Sequence, residues 1–205
     1  MEWKLFDGDV PHVSTFEFHE HRERAPHLEQ WTHRPRLDAA HMAVVRAVQS
    51  QLTRPGGQLD LSRMVRVVDL GCGDGGLLSL LQADPNIVAT GYDFQPSNAA
   101  GWAERGVTAT ALDFANTWWL VDDADVYVAT EVLEHVADPH GLVRSIKARG
   151  AQLVCSSPWT EHDLSHDACH AWAWDMPGYA KMISDARFTI ISHEQVGMFQ
   201  VVYAV

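Results

Sequence analysis

Asp69, Gly71 and Gly73 close the apolar run Val67-Val68-Asp69-Leu70-Gly71-Cys72-Gly73-Asp74-Gly75-Gly76. Glycines at these points let the backbone bend and let a ligand approach where a β-carbon would clash, and a helix opening behind the turn offers its amides to the bound molecule. That is the chemistry of a nucleotide-type cofactor site. A dinucleotide fingerprint has no acid just ahead of its glycines, whereas Asp69 precedes Gly71 here, which suits a cationic partner better than a pyrophosphate. The next apolar stretch, Ile87 to Tyr92, ends in Asp93 and Phe94. It lies about 20 residues on, where a carboxylate grips ribose hydroxyls in doubly wound nucleotide folds. A third stretch, Val107 to Leu112, ends in Asp113 and Phe114. An acid and an aromatic together can hydrogen-bond an adenine amino group and cover its ring.

A different chemistry follows the fourth apolar stretch, in Thr130-Glu131-Val132-Leu133-Glu134-His135-Val136-Ala137-Asp138-Pro139. If 131–135 is helical, Glu131, Glu134 and His135 share one face. Two readings of that face stay open. In one, His135 is a general base for an acceptor hydroxyl, with a neighbouring Glu fixing its tautomer. In the other, the three side chains hold a divalent metal such as Mg, Mn, Fe or Zn through oxygen and imidazole ligands.

The elements needed to position these residues are readable from periodicity. Strands are expected over 64–70, 87–92, 107–112, 125–130, 151–156, 188–193 and 197–205, with helical segments near 36–52, 74–83, 96–105, 138–149 and 175–186. Such alternation predicts an α/β fold: a Rossmann-like, doubly wound, mainly parallel seven-stranded sheet. The connection between residues 114 and 125 is too short for a full helix. Residues 193–196 are spaced for a hairpin, which makes the last strand antiparallel. Residues 1–60 read as an arm and cap helix over the cofactor site, and 61–205 as the core, in one compact domain. Up to about residue 34 the arm is polar, His-rich and irregular.

Composition narrows the partners. Fifteen Lys and Arg against 27 Asp and Glu give a net charge of −12, which disfavours extended nucleic-acid binding, since neutralising many phosphates needs clustered cations. No apolar run reaches a membrane-span length of about 18 residues. The first residues do not have the pattern of a signal peptide, so a cytoplasmic location is expected. Three irregularly spaced cysteines are read as reduced thiols. Trp118, Trp119, Trp159 and Trp172 follow strand ends, and they are expected to line a pocket.

The Asp69-x-Gly71-x-Gly73 pattern resembles motif I of class I S-adenosylmethionine (SAM) methyltransferases. The 131–139 segment resembles the E-x-L-E-H-x-x-D-P motif of ubiquinone-biosynthesis-type O-methyltransferases. In that group the segment resembling His33-Arg34-Pro35-Arg36 carries an arginine that pairs with the SAM carboxylate, which falls on Arg36. The resemblance implies SAM as cofactor, held by Arg36, Asp69, Gly71, Gly73, Asp93, Phe94, Asp113, Phe114 and Glu131. It also implies methyl transfer to a hydroxyl of a small acceptor such as a sugar, phenol or secondary metabolite. The segments Ser157-Pro158-Trp159-Thr160-Glu161 and His170 to Trp174 partly resemble metal-dependent small-RNA 2′-O-methyltransferases, in which E-x-x-E-H plus the later histidine hold the metal; Trp159 and Ala173 depart from that pattern. That gives the alternative, a metal-assisted methyltransferase on a ribose hydroxyl. A non-catalytic SAM-sensing module is a third reading.

Overall fold

A computed structural model describes residues 1–5, 19 and 21–205. The part of the arm at residues 6–18 and 20 lies outside the described residues. The elements in chain order are β1 (Glu2–Lys4), α1 (Arg34–Leu52), β2 (Val65–Leu70), α2 (Gly76–Leu81), β3 (Ile87–Asp93), α3 (Ala99–Arg105) and β4 (Ala109–Ala111). They continue with β5 (Val126–Thr130), α4 (Pro139–Ala148), β6 (Gln152–Pro158), β7 (Trp172–Trp174), α5 (Met176–Asp185), β8 (Ile190–Val196) and β9 (Phe199–Ala204). Seven strands form the main sheet in the order β4-β3-β2-β5-β6-β9-β8. β2 to β6 pair in parallel, and β9 runs antiparallel to both β6 and β8. This is the expected mainly parallel sheet with a C-terminal antiparallel strand.

The central strands are apolar on both sides because both sides are covered. Val65, Val67, Val126, Val128 and Val201 pack under α1 and α2, against Leu37, Val44, Val48, Leu77 and Leu78. Val68, Leu70, Tyr127, Leu153 and Val202 pack against Val143, Ile146, Tyr179 and Met182 of α4 and α5. Asp138 and Asp175 start those two helices by accepting from Gly141 N and Gly178 N, each at 2.7 Å.

Three expectations need correcting. The irregular arm contains β1, which pairs antiparallel with β7 in a two-stranded sheet, so Trp172 and Trp174 belong to a strand. The hairpin turn falls at Gly197 and Met198, beyond 193–196, because Gly197 takes the positive φ (61°) that the tight turn requires and β8 extends to Val196. The 131–135 segment is a turn without helix, opened by Glu131 at a positive φ of 57° and closed by His135 N donating to Val132 O. The short 114–125 connection holds a single 3₁₀ turn at Trp118–Leu120, as its length predicts.

Candidate active site

The carboxyl ends of β2, β3, β4 and β5 open into one cavity of about 990 Å³. Arg36, Asp69, Gly71, Gly73, Asp93, Phe94, Asp113, Phe114, Glu131, His135 and His170 all lie on its wall. Glu134 does not. Its side chain is fully buried and neither carboxyl oxygen has a hydrogen-bond partner. Burial, and then the neighbouring Glu131, push its pKa well above the usual carboxylate range. The shared helical face is absent because the turn sends successive side chains to different places.

The glycine turn is clamped from two sides. Asp93 Oδ2 accepts from Gly73 N at 2.9 Å, while Trp102 Nε1 donates to Gly73 O at 2.7 Å. Asp93 Oδ1 accepts from Gln95 N and Asn98 Nδ2, which aims the carboxylate at the turn. Gly71 has no room for a side chain: a β-carbon there would stand 2.4 Å from Val132 Cγ2, at a φ of 65°. A β-carbon on Gly73 would instead meet nothing within 4 Å, so this turn leaves open space beside the backbone.

Two buried ionisable side chains on the cavity wall beside this turn keep hydrogen-bonding atoms unused. Both oxygens of Asp69 are buried without a partner, as are Nε and Nη1 of Arg36. Unpaired buried polar groups are costly, so such a pair marks a place for a ligand that satisfies both. Burial, and then repulsion from Asp93, push the Asp69 carboxyl up to about 8, against the pull of Arg36. Arg36 lies over the Phe199 ring at 5.0 Å, and its Nη1 is 3.5 Å from Glu131 Oε1. Ser156 Oγ donates to the same Glu131 oxygen at 3.0 Å. Burial raises the Glu131 pKa, with Arg36 opposing.

Farther along β3 and β4, Asp113 is exposed and accepts from Asn116 N and Nδ2, and Phe114 is buried beneath it. The arm reaches the rim: His19, Arg22, His27 and His33 line the cavity. Arg105 Nη2 ties it down, donating to Glu29 at 2.7 Å and Asp74 at 2.8 Å. His27 is lowered to about 4 by burial and then by Arg36.

The same wall carries His135, Glu161, Cys169 and His170, with Met198 and Phe199 from the β8–β9 hairpin. His170 Nδ1 is 2.5 Å from Glu161 Oε2, and His135 Nδ1 is 3.2 Å from Cys169 O. The two imidazoles meet edge to face at 4.6 Å. Burial, and then His170, lower His135 to about 3, so this ring is neutral at pH 7. His135 and His170 are thus brought together with Cys169, and the two glutamates of the expected metal set are not part of that group. Of the four tryptophans, Trp118 lines the cavity; Trp119 is 74% exposed, Trp159 binds Gly197 O, and Trp172 stacks on Trp174. Trp102, Glu161 and Cys169 escaped the sequence reading as site residues. Glu161 stood in a quoted motif, whereas nothing in the spacing marks Trp102.

The methyltransferase-domain family matches residues 18–189, most of the chain and most of this site. The chain belongs to the class I SAM-dependent methyltransferases. Among curated methyltransferases, trans-aconitate 2-methyltransferase of Mycobacterium tuberculosis strain H37Ra is 36% identical over 137 residues, covering 65% of this chain and 52% of that protein. The Mycobacterium ulcerans protein of the same name is 31% identical over the same length, 65% of this chain and 51% of its own. The chain therefore spans about half the length of the curated relatives it matches. Among solved methyltransferase structures, magnesium protoporphyrin IX methyltransferase of Synechocystis PCC 6803 with bound S-adenosylhomocysteine (SAH) has a TM-score of 0.59 at 17% identity, covering 98% of this chain and 90% of that one. At that identity the likeness concerns the fold.

Arg36, Asp69, the open Gly73 and Asp93 fit SAM as a methyltransferase cofactor. Its amino-acid end carries one charge of each sign, matching guanidinium and carboxyl atoms that lack hydrogen-bond partners. No helix among the described residues is long and apolar enough to cross a membrane.

Proposed function

We infer that this methyltransferase moves the SAM methyl group onto an oxygen of a small acceptor that carries a carboxylate. The observation that carries the cofactor half is that Arg36 and Asp69 both line the cavity with buried atoms that have no hydrogen-bond partner. In this reading Arg36 takes the carboxylate of the cofactor, kept in place by Glu131 and Phe199, and Asp69 takes its ammonium. Asp93 accepts from the ribose hydroxyls, Gly71 and Gly73 line the passage, Asp113 meets the adenine amino group, and Phe94 and Phe114 flank the ring. Residues 1–60 act as arm and cap helix over this site and 61–205 as its core.

When bound, SAM supplies a methyl carbon already activated by its sulfonium. The chain's task is then to hold an acceptor oxygen in line with that carbon and keep water out, which by itself accounts for much of the acceleration in such transfers. His135, Glu161 and His170 form the polar end of the cavity, and Pro158, Met198 and Phe199 its apolar wall. An acceptor carboxylate is ionised at neutral pH and needs no base; a hydroxyl acceptor would call on His135 to take its proton. The name of these relatives, trans-aconitate 2-methyltransferase, supports the carboxylate. The ribose-methylating alternative has no comparable support, and the net charge of −12 weighs against RNA. The test is methyl transfer from labelled SAM to trans-aconitate, other di- and tricarboxylates, and phenols. Ester formation on a carboxylate supports the proposal, and exclusive transfer to phenolic hydroxyls contradicts it.

A further inference from the structure

The acceptor end of the cavity holds a second set of groups whose chemistry the methyl transfer does not use. His135, Cys169 and His170 each present a ligand atom, and these atoms lie within 4.8 Å of one another, the single such group among the described residues. We propose that these three side chains bind a zinc-class divalent cation, which grips one oxygen of an anionic acceptor beside the methyl-transfer site.

The hydrogen bonds around the two imidazoles set them up as ligands. Glu161 Oε2 and Cys169 O can only accept, so the nitrogens facing them, His170 Nδ1 at 2.5 Å and His135 Nδ1 at 3.2 Å, carry the protons. The nitrogen left to bind a cation in each ring is then Nε2. A carboxylate behind a histidine is the usual support for a metal-bound imidazole, fixing its orientation and raising its basicity. Cys169 is adjacent in sequence to His170, and its thiol donates to Asp167 Oδ1 at 2.9 Å, a proton that cation binding displaces. Two imidazoles and a sulfur favour zinc over magnesium or calcium, which prefer oxygen. Zinc bonds of about 2.0–2.3 Å hold neighbouring ligands roughly 3.5 Å apart, so binding draws the most separated donors together by about 1 Å. All three residues line the cavity, which leaves one coordination position for an acceptor oxygen. Glu131 and Glu134, the ligands expected from the sequence, stay outside: one answers Arg36 and Ser156, the other is sealed in the core.

The ion's role rests on the methyl-transfer reading, but its binding does not. The full chain, purified without an affinity tag and stripped with a chelator, is titrated with zinc and, separately, with cobalt(II). Stoichiometric zinc uptake is expected, with a near-ultraviolet thiolate-to-cobalt charge-transfer band. Cys169→Ser should abolish that band. Glu161→Gln, which removes only the support of His170, should weaken zinc by about 10–100-fold. Replacing the nearby exposed His166 by Ala should change neither. Absence of zinc uptake by protein with native circular dichroism overturns the proposal, as does a band that survives Cys169→Ser or disappears in His166→Ala. SAH calorimetry on the same samples separates the two claims: lost SAH binding in protein that takes up zinc counts against the methyl-transfer reading and leaves the ion site standing.

Discussion

The two ends of the cavity handle their polar groups in opposite ways. At the glycine turn, Arg36 and Asp69 are buried with hydrogen-bonding atoms unsatisfied. At the acceptor end, His170 is paired with Glu161, His135 with a backbone carbonyl and Cys169 with Asp167. The first arrangement is incomplete and awaits a ligand of fixed charge pattern. The second is internally satisfied and orients its own side chains. The cofactor half should therefore respond to substitution through ligand affinity, and the acceptor half through geometry.

The largest expected effect is at Arg36. Removing it with Arg36→Ala leaves Glu131 without its cation and the cofactor carboxylate without a partner, and should weaken SAH binding by about 2–5 kcal/mol in calorimetry. Asp93→Ala comes next, with a loss of about 1.5–3 kcal/mol for a charge-assisted hydrogen-bond acceptor. It should also lower the melting temperature, because Asp93 holds Gly73 N, Gln95 N and Asn98. An Asp93→Ala protein with unchanged SAH affinity would place the ribose elsewhere and break the comparison.

A smaller effect is a pH dependence. Asp69, with a carboxyl pushed up to about 8, is largely protonated at pH 7 in the ligand-free chain, and an ammonium ligand requires its anion. Binding then releases a proton, so SAH affinity should rise with pH through the region below 8, by up to about tenfold per pH unit, and level off above. The fold itself behaves with the opposite sign. Because the folded pKa lies above the unfolded one, ionising Asp69 costs stability as pH rises from the ordinary carboxylate range toward 8. Asp69→Asn should remove both slopes. The smallest effect is at Trp119, 74% exposed, where Trp119→Ala should change stability and SAH affinity by less than about 0.5 kcal/mol.

The same division explains what the sequence disclosed. Asp69, Asp93 and Asp113 were legible because each stands at or beside the end of an apolar stretch and the fold brings strand ends to one edge. All seven main-sheet strands were legible for the same reason, although β8 runs on to Val196 because its turn waits for Gly197. The acceptor half was not, since its geometry depends on a turn at Glu131 that local spacing does not encode. Helical spacing gathered Glu131, Glu134 and His135; the positive φ at Glu131 separates them. The 161–170 segment meets His135 only through long-range packing, and β1 is too short to announce itself beside Trp172 and Trp174.

The central claim is that Arg36 and Asp69, with hydrogen-bonding atoms unsatisfied, receive the amino-acid end of SAM. Titrating SAH and NAD into the full chain and into Arg36→Ala by calorimetry addresses it most directly. The account predicts SAH binding by the unsubstituted chain, weaker by about 2–5 kcal/mol in Arg36→Ala, with no tight NAD binding in either. Tight NAD binding without SAH binding, or the same SAH affinity with and without Arg36, would contradict it.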